Sequence, residues 1–437
     1  MSEQYIDGLI RFLDSSPSPY HAVATMAERL TSVGFQRLDE KETWDIVPER
    51  RYFVTRNASS IIAFQGMDLT TAAKQGLRIV GAHTDSPCLK IKPNPDIQRH
   101  SCRQLGVEVY GGALLNPWFD RDLSMAGRVT YRNAEGKIRS ALVNFSRALA
   151  VVPSLAIHLD REANNSRTIN AQNHLPLVIG GGDIDYAGFQ ELLKQEVENQ
   201  QPDIGCESVV AYEIYLYDMQ GARRTGLKEE YIASSRLDNL LSCYIGVEAL
   251  LDAKTTQPAM LVCTDHEEVG SQSSCGAQGP FLQDVVERLV SDSETRKQMI
   301  RQSLLISSDN AHALHPNYSD KHDQQHGPRI NGGPVIKINA NQRYATNSET
   351  SAQFRRLCEL VGAPYQLFVV RSDMGCGSTI GPIVASEVGI PTVDIGCPQW
   401  AMHSIRETAG VVDVKTLHTV LSAFYASDSG FAVSGLE

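Results

Sequence analysis

The sequence contains no run of about 18 apolar residues, which is the length that a membrane-spanning helix requires. It also lacks a Lys- or Arg-rich stretch, and its formal net charge of -11 argues against nucleic-acid binding. The opening stretch MSEQYIDGLIRFLDSS is acidic and has neither the basic start nor the long apolar core of a secretory signal. These absences predict a cytoplasmic protein that binds neither a membrane nor nucleic acid.

The CxxC spacing is missing as well, although the chain has nine cysteines. An odd number of scattered cysteines is typical of reduced thiols that fill core positions in a cytoplasmic protein. The remaining composition is that of a globular protein, with 42% hydrophobic and 21% charged residues. A chain of 437 residues can therefore bury a sizeable core in about two to four domains.

Hydrophobic periodicity divides the chain into three parts. Helical spacing over Tyr5 to Ser15 and over HAVATMAERLTSVG, separated by a turn at SPSPY, gives way to strands from about residue 50. The middle third has short alternating stretches between Gly, Asn and Pro, with one helical stretch, GFQELLKQEVENQ. From RLDNLL onward, helix-length periodicity alternates with short apolar strands, as in a sheet covered by helices.

This pattern predicts an α/β fold with a mixed, largely parallel sheet covered by helices. Residues 1–88 and 232–437 form the discontinuous α/β domain in this interpretation. Residues 89–231 form a mostly-β domain that is inserted into it.

Several apolar runs in the α/β parts end in side chains of the kinds that bind metal ions. In an open α/β sheet, ligands gather outside the carboxyl ends of the strands, where such side chains would converge. The candidates are His83 and Asp85 after LRIVGA, Asp238 in RLDNLL, Glu267 and Glu268 after AMLVC, Asp309 after SLLISS, and His403 after PTVDIG.

Histidine and carboxylate ligands without thiolates suit zinc, cobalt or manganese. Two divalent ions bring four positive charges, and Asp238, Glu268 and Asp309 together with one hydroxide balance them. Five side chains suffice for this count if one carboxylate, by hypothesis Asp238, bridges both ions. The charge count therefore favours a dinuclear site.

Glu267 is left over by this count, and a hydrolase needs such an unligated base to move the proton of the attacking water to the leaving amine. Because adjacent strand-end residues point in different directions, Glu268 can bind metal while Glu267 faces the water. Asp85 can orient the imidazole of His83. The helical HExxH zinc motif is excluded, since Gly270 stands where its second histidine is required.

These residues lie within a larger set of motifs that resembles the M18 metallo-aminopeptidases, the aspartyl aminopeptidase group, and is most similar to the bacterial members. The resemblance extends over essentially the whole chain. The motifs are SPSPYH at 16–21, GAHTDSP at 81–87, NPWFDRDL at 116–123, PSLAIHL at 153–159, SSRLDN at 234–239, DHEEVGS at 265–271, SSDNAHA at 307–313, IKINANQRYAT at 336–346 and MHSIRE at 402–407.

The resemblance implies a two-metal peptidase that removes acidic residues from peptide N-termini. Zinc is the metal that we expect, and cobalt and manganese also suit the ligands. It also implies that the inserted domain serves assembly, with subunits forming a tetrahedral dodecamer built from dimers. By position, His83 and Asp309 would hold one metal and Glu268 and His403 the other, with Asp238 bridging and Glu267 as the general base.

The resemblance further implies substrate contacts by Lys337, Tyr344 and His158. Lys337 would meet the acidic side chain of the substrate, unless it is a surface lysine on a strand. Tyr344 would stabilise the tetrahedral oxyanion, or it packs as a half-buried tyrosine. His158 would reach the active site of a neighbouring subunit, whereas histidines in apolar stretches more often pack in a core.

The glycine-rich stretch RSDMGCGSTIGP lacks the lysine of a Walker loop and is not a nucleotide site. In the family this loop borders the substrate pocket, so Asp373, Gly375 and Ser378 are predicted to contact the peptide.

Two other functions remain open at this point. One keeps the metals but changes the substrate, as in an aminopeptidase of broader or neutral specificity or an amidohydrolase acting on small metabolites. The other is a self-assembling shell or cargo protein without activity. The complete ligand set and the unligated Glu267 argue against the second.

Overall fold

A computed structural model describes residues 3–253, 257–428 and 431. The helices are α1 (Glu3–Asp14), α2 (Pro19–Ser32), α3 (Leu69–Gln75), α4 (Ala163–Ser166), α5 (Ala171–His174), α6 (Phe189–Gln200), α7 (Leu237–Asp252), α8 (Phe281–Leu289), α9 (Ser293–Gln302), α10 (Ser348–Leu360), α11 (Ile380–Glu387) and α12 (Val411–Ala426).

Strands alternate with these helices along the chain. They are β1 (Gln36–Leu38), β2 (Tyr52–Arg56), β3 (Ser60–Gln65), β4 (Arg78–His83), β5 (Cys88–Arg99), β6 (Cys102–Tyr110), β7 (Leu123–Asn133), β8 (Ile138–Asn144), β9 (Leu177–Gly181), β10 (Cys206–Asp218), β11 (Arg223–Thr225), β12 (Tyr231–Ser234), β13 (Ala259–Thr264), β14 (Leu304–Ser308), β15 (Ala311–His312), β16 (Val335–Lys337), β17 (Gln366–Phe368), β18 (Thr392–Gly396), β19 (Pro398–Trp400) and β20 (Glu407–Gly410).

The largest sheet has nine strands in the order β1-β2-β3-β13-β4-β14-β18-β16-β17. The pairs β1–β2, β13–β4, β4–β14, β14–β18 and β16–β17 are parallel. The pairs β2–β3, β3–β13 and β16–β18 are antiparallel. The α/β class with a mixed sheet is therefore confirmed.

Helices cover both faces of this sheet, because successive residues of a strand point to opposite sides. In β4, Val80 packs with apolar side chains of α1, α2, α7 and α12. Its neighbour Ile79 packs with apolar side chains of α8, α9 and α11 on the other face. All residues of β4 and β13 are buried, which explains the apolar runs at 79–82 and 259–263 in these central strands.

The second helix begins earlier than the sequence predicted. The Ser18 hydroxyl accepts a hydrogen bond of 3.4 Å from the backbone N–H of His21 and caps the helix. Pro19 fits the first turn, where its missing N–H would have no partner within the helix. The stretch SPSPY is thus not a simple turn, since its last two residues are helical.

A six-stranded antiparallel sheet, in the order β8-β7-β10-β5-β6-β9, takes all its strands from the segment between Cys88 and Asp218. Helix α6, which the stretch GFQELLKQEVENQ predicted, buries Phe189, Leu193 and Val197 in the hydrophobic cluster of this sheet. The division of the chain into two domains with the predicted boundaries remains a prediction.

A third sheet, β11-β12-β20-β19-β15, was not predicted from the sequence. It joins segments that are far apart in the chain, and its strands have only two to four residues. Strands this short contain too few residues for a recognisable alternation of apolar and polar side chains. No helix in the described residues is both long and apolar enough to cross a membrane.

Candidate metal centre and active site

Three neighbouring parallel strands deliver candidate ligands to one edge of the nine-stranded sheet. Strand β4 ends at His83, and Asp309 directly follows β14. Glu267 and Glu268 lie in a short 3-10 turn just after β13. Because these strands are adjacent and parallel in the order β13-β4-β14, their carboxyl ends meet at the same place.

Asp238 lies at the centre of the cluster, in the first turn of α7. Its Oδ1 atom is 3.4 Å from Nε2 of His83. Its Oδ2 atom is 3.4 Å from Nε2 of His403, which lies in the loop between β19 and β20. The two oxygens of one carboxylate thus face two different imidazoles.

Each imidazole has a second carboxylate beside it. Nε2 of His83 is 3.5 Å from Oδ1 of Asp309. Nε2 of His403 is 3.3 Å from Oε2 of Glu268. The cluster therefore consists of two histidine–carboxylate pairs that share Asp238.

This donor set fits cations. His83, Asp238 and Glu268 offer ligand atoms that all lie within 4.8 Å of one another. Oδ1 of Asp238 and Oε1 of Glu268 are buried and accept no hydrogen bond from the described residues, although a buried carboxylate requires a compensating partner. Burial, with the charge of Asp238 close by, raises the pKa of Glu268 well above its usual value. Bound cations would supply the missing positive charge.

Glu267 faces the same cluster without joining either pair. Its Oε2 atom is 4.0 Å from Nε2 of His83. Burial raises the pKa of Glu267 to about 8, and the charges of Asp309 and Asp85 add to the shift while His83 opposes it. A nearby cation favours the ionised carboxylate, which is the form that accepts a proton.

Asp85 is buried and does more than the sequence suggested. Its Oδ1 atom lies 3.4 Å from Nδ1 of His83, and its backbone carbonyl lies 3.1 Å from the same nitrogen. Its carboxylate also accepts hydrogen bonds of 3.1 Å from the backbone N–H groups of Glu267 and Glu268. The hydroxyl of Tyr110 donates a further bond of 2.7 Å. Asp85 therefore holds both the imidazole and the turn of the two glutamates.

The two glutamates diverge for a different reason from the one predicted from the sequence, and that prediction was wrong. They do not alternate along a strand, because β13 ends at Thr264 and Glu267–Val269 is a 3-10 turn. His266, just before the turn, has a left-handed backbone with φ +66°. The turn directs the two side chains, and Asp85 fixes it through their backbone N–H groups.

Glu407, a buried residue of the MHSIRE motif, had no role predicted from the sequence. Its carboxylate accepts a bond of 3.0 Å from the N–H of Asp238 and one of 2.7 Å from the N–H of His403. Glu407 thus positions the carboxylate of Asp238 and the imidazole of His403 by holding the backbone of both residues. Its position four residues after His403 in the same motif was the available signal.

The segment after β6 closes the site from the side of the six-stranded sheet. The carbonyl of Gly112 lies 3.1 Å from Nδ1 of His403. Gly111 has φ +66°, and a Cβ atom there would lie 3.1 Å from Cβ of Glu268. Glycine is therefore required for both the backbone conformation and the close approach.

Lys337 is not the surface lysine of the alternative interpretation, because only 2% of it is exposed at the end of β16. Its ammonium group donates bonds of 3.1 Å to Oδ2 of Asp309 and to the carbonyl of Asn310. It also lies 5.2 Å from the centre of the ring of Tyr344. Tyr344 is buried as well, and its ring packs against Phe368.

The glycine-rich loop lies outside this cluster. Asp373 is exposed and forms an ion pair of 2.6 Å with Arg371. Gly375 and Arg371 line a cavity of about 270 Å³, which His312 and Met402 also border. The hydroxyl of Ser378 donates a bond of 3.3 Å to the carbonyl of Arg343. Met402, the neighbour of His403 in the chain, lines the cavity, but none of the candidate ligands does.

His158 does not pack in a core, because its side chain is exposed. No hydrogen bond or ion pair among the described residues joins it to the histidine–carboxylate cluster. Its neighbours Leu155, Ile157 and Leu159 are also largely exposed, at 59%, 47% and 75%.

A family model and two related sequences each match this chain over nearly its whole length. Residues 12–425 match the family model described as Aminopeptidase I zinc metalloprotease (M18). A Pseudomonas syringae protein named "Probable M18 family aminopeptidase 2" is 57% identical over 422 residues, which are 96% of this chain and 97% of the relative. A Pseudomonas aeruginosa protein of the same name is 57% identical over 427 residues, or 98% and 99%.

Solved structures have the same fold. A chain from the cryo-EM structure of the Ape4 and Nbr1 complex superposes with a TM-score of 0.92 at 38% identity, covering 97% of this chain and 85% of the other. The mApe1 dodecamer of S. cerevisiae superposes with a TM-score of 0.82 at 27% identity, covering 96% and 95%.

Proposed function

The chain belongs to the M18 family of aminopeptidases, and we propose that it removes N-terminal Asp or Glu residues from peptides at a dinuclear metal centre. The observation that carries this proposal is the position of Asp238 between two histidine–carboxylate pairs. His83 and Asp309 would hold one ion, and His403 and Glu268 the other. Zinc is the favoured metal, with cobalt and manganese as alternatives that the same ligands accept.

When bound, the two ions supply Lewis-acid activation of the scissile carbonyl and lower the pKa of water. The protein's own task is proton transfer and orientation. Glu267 accepts the proton of the attacking water and delivers it to the leaving amine. Asp85 and Glu407 hold the groups around it through the contacts described above. Burial raises the pKa of the Tyr344 phenol, which stays protonated and donates to the developing oxyanion.

We assign the acidic preference to Lys337, and we propose that the cavity lined by Gly375 and Met402 receives the peptide. Two donor contacts of Lys337 are taken by Asp309 and Asn310, and an ammonium group has three protons to donate. The third can meet the substrate carboxylate. Asp373 and Gly375, from the loop that borders the cavity, are proposed to contact the peptide.

We further propose that residues 89–231 form an assembly domain inserted between the two parts of the catalytic domain, 1–88 and 232–437. The chain would assemble as a dodecamer built from dimers. The six-stranded sheet within this segment and the similarity to the mApe1 dodecamer support the proposal. We place the protein in the cytoplasm, because all nine cysteines are free thiols.

The direct test measures release from aspartyl, glutamyl, alanyl and leucyl anilides by the purified protein. Hydrolysis should favour the acidic substrates, stop on chelation and return when zinc, cobalt or manganese is added singly. Equal rates on all four would support a broader aminopeptidase. A purified protein that binds no divalent metal would instead support a non-catalytic assembly.

Replacing Lys337 by Met tests the acidic preference. The variant should retain activity on alanyl anilide but lose most of its preference for the aspartyl substrate, because the positive group is gone. Removing one partner of a buried ion pair typically costs about 3–5 kcal/mol of stability, so metal content and thermal unfolding must be measured in parallel.

Lys297→Met, on the exposed face of α9, is the matched control. Unchanged selectivity in a metal-loaded variant would remove Lys337 from the proposal.

Replacing His158 by Phe tests whether this exposed histidine serves a neighbouring subunit. We expect weak activity in an oligomer of unchanged size, measured by anilide hydrolysis and light scattering. His174→Phe, at a second exposed histidine of the same segment, should stay active. Full activity of the His158 variant would show that its imidazole has no part in the reaction.

A further inference from the structure

A second group of metal-binding side chains lies beside the turn of the two glutamates. Asp265, His266 and Cys275 each offer one ligand atom, and these atoms lie within 4.8 Å of one another. Nδ1 of His266 is 3.6 Å from Sγ of Cys275, and its Nε2 is 3.5 Å from Oδ2 of Asp265. None of the three is a ligand in the proposed peptidase centre.

Two members of this group are deeply buried, and one reaches the surface. Asp265 and Cys275 are 1% and 2% exposed. The side chain of His266 is 24% exposed, so the group lies just below the surface and an ion can enter past the imidazole.

One carboxylate oxygen of Asp265 accepts no hydrogen bond from the described residues and can bind a cation. Its Oδ1 atom accepts a bond of 2.8 Å from the N–H of His266. Its Oδ2 atom is buried and accepts no hydrogen bond within the part of the chain that the structure describes. A buried carboxylate oxygen in this state is stabilised by a cation.

A purely hydrogen-bonded network explains only part of the arrangement. The hydroxyl of Ser273 is 2.9 Å from Nδ1 of His266 and 3.5 Å from Sγ of Cys275. The hydroxyl of Ser59 is 3.9 Å from the same sulfur. These contacts hold the thiol and the imidazole together. Oδ2 of Asp265 has Nε2 of His266 beside it at 3.5 Å, which is an ion-pair distance, and it accepts no hydrogen bond from the described residues.

We propose that Asp265, His266 and Cys275 form a third metal site, which binds one thiophilic divalent cation such as zinc. One sulfur, one nitrogen and one oxygen ligand with a water molecule complete the four-coordinate geometry that zinc prefers. Binding releases the thiol proton to solvent and involves no redox change. The ion would link the two ends of segment 265–275, which carries Glu267 and Glu268 between them.

Cobalt distinguishes this site from the peptidase centre, whose ligands are only nitrogen and oxygen. Cobalt(II) would be added to the chelated full-length protein while absorbance and bound metal are recorded. A thiolate-to-cobalt charge-transfer band should appear in the near ultraviolet, and bound cobalt should reach about three ions per chain. The Cys275→Ser variant should lack the band and bind about two ions.

Two further variants complete the test. Cys376→Ser, at a half-buried cysteine outside the proposed third site, should keep the band. His266→Asn should weaken it, which gives a second measurement if the Cys275 variant folds poorly. The proposal is overturned if saturating cobalt gives no such band in the wild-type chain, or an equally strong band in Cys275→Ser. Because the measurement is of binding, the outcome is independent of any peptidase activity.

Discussion

The Glu267→Gln variant is expected to bind both ions of the peptidase centre and to hydrolyse an aspartyl anilide about two to four powers of ten more slowly than the wild-type chain. The amide cannot accept the proton of the attacking water. The change leaves the shape of the site intact, because Glu267 is held through its backbone N–H, which donates to Asp85. Metal content and oligomer size should therefore match those of the wild type.

Glu287→Gln is the control for this experiment, since it makes the same change at an exposed position on α8. It should leave the rate unchanged. Loss of one ion from the Glu267 variant would contradict the proposed roles, because it would make Glu267 a ligand. In that case, the distance of 4.0 Å between Oε2 of Glu267 and Nε2 of His83 would be the distance between two ligands of one ion.

The convergence of the ligands could be predicted from the sequence because it follows from the sheet. His83, Asp309 and the glutamate turn each follow an apolar run, and parallel strands place such ends at one edge. This holds only for strands long enough to be recognised. His403 lies between β19 and β20, strands of three and four residues, and its position depended on the motif rather than on any periodicity.

Groups that act through the backbone could not be predicted in this way. Glu407 and Asp85 accept N–H bonds from Asp238, His403 and the two glutamates. A backbone N–H is the same in every residue except proline, so its partner leaves no trace in the pattern of side chains. The role of Glu407, and the bonds by which Asp85 holds the turn of the two glutamates, became visible only in the structure.

The burial of Lys337 shows a related limit. Strand β16 is only three residues long and runs antiparallel to β18, which in turn pairs with β14. This order of strands brings the ammonium group to Asp309, which follows β14. The sequence shows a lysine after two apolar residues and does not reveal which strand will be its neighbour.

The largest loss of metal is expected from Asp238→Asn, because this residue contacts both halves of the centre. An amide keeps one oxygen and turns the other position into an N–H donor, which cannot bind a cation. We therefore expect the variant to lose both ions at micromolar free zinc, as measured by elemental analysis after gel filtration, and to have no anilide hydrolysis above background. Far-ultraviolet circular dichroism should show that the fold is retained.

Asp309→Asn provides the matched comparison. In the wild-type chain, Oδ1 of Asp309 contacts the imidazole of His83 and belongs to that half of the centre alone. It should lose the ion on the His83 side and keep the one between His403 and Glu268. If Asp238→Asn instead retained one tightly bound ion, Asp238 would serve a single metal and the shared-carboxylate arrangement would be wrong. If both variants kept both ions, the histidine–carboxylate pairs would not be the metal ligands at all.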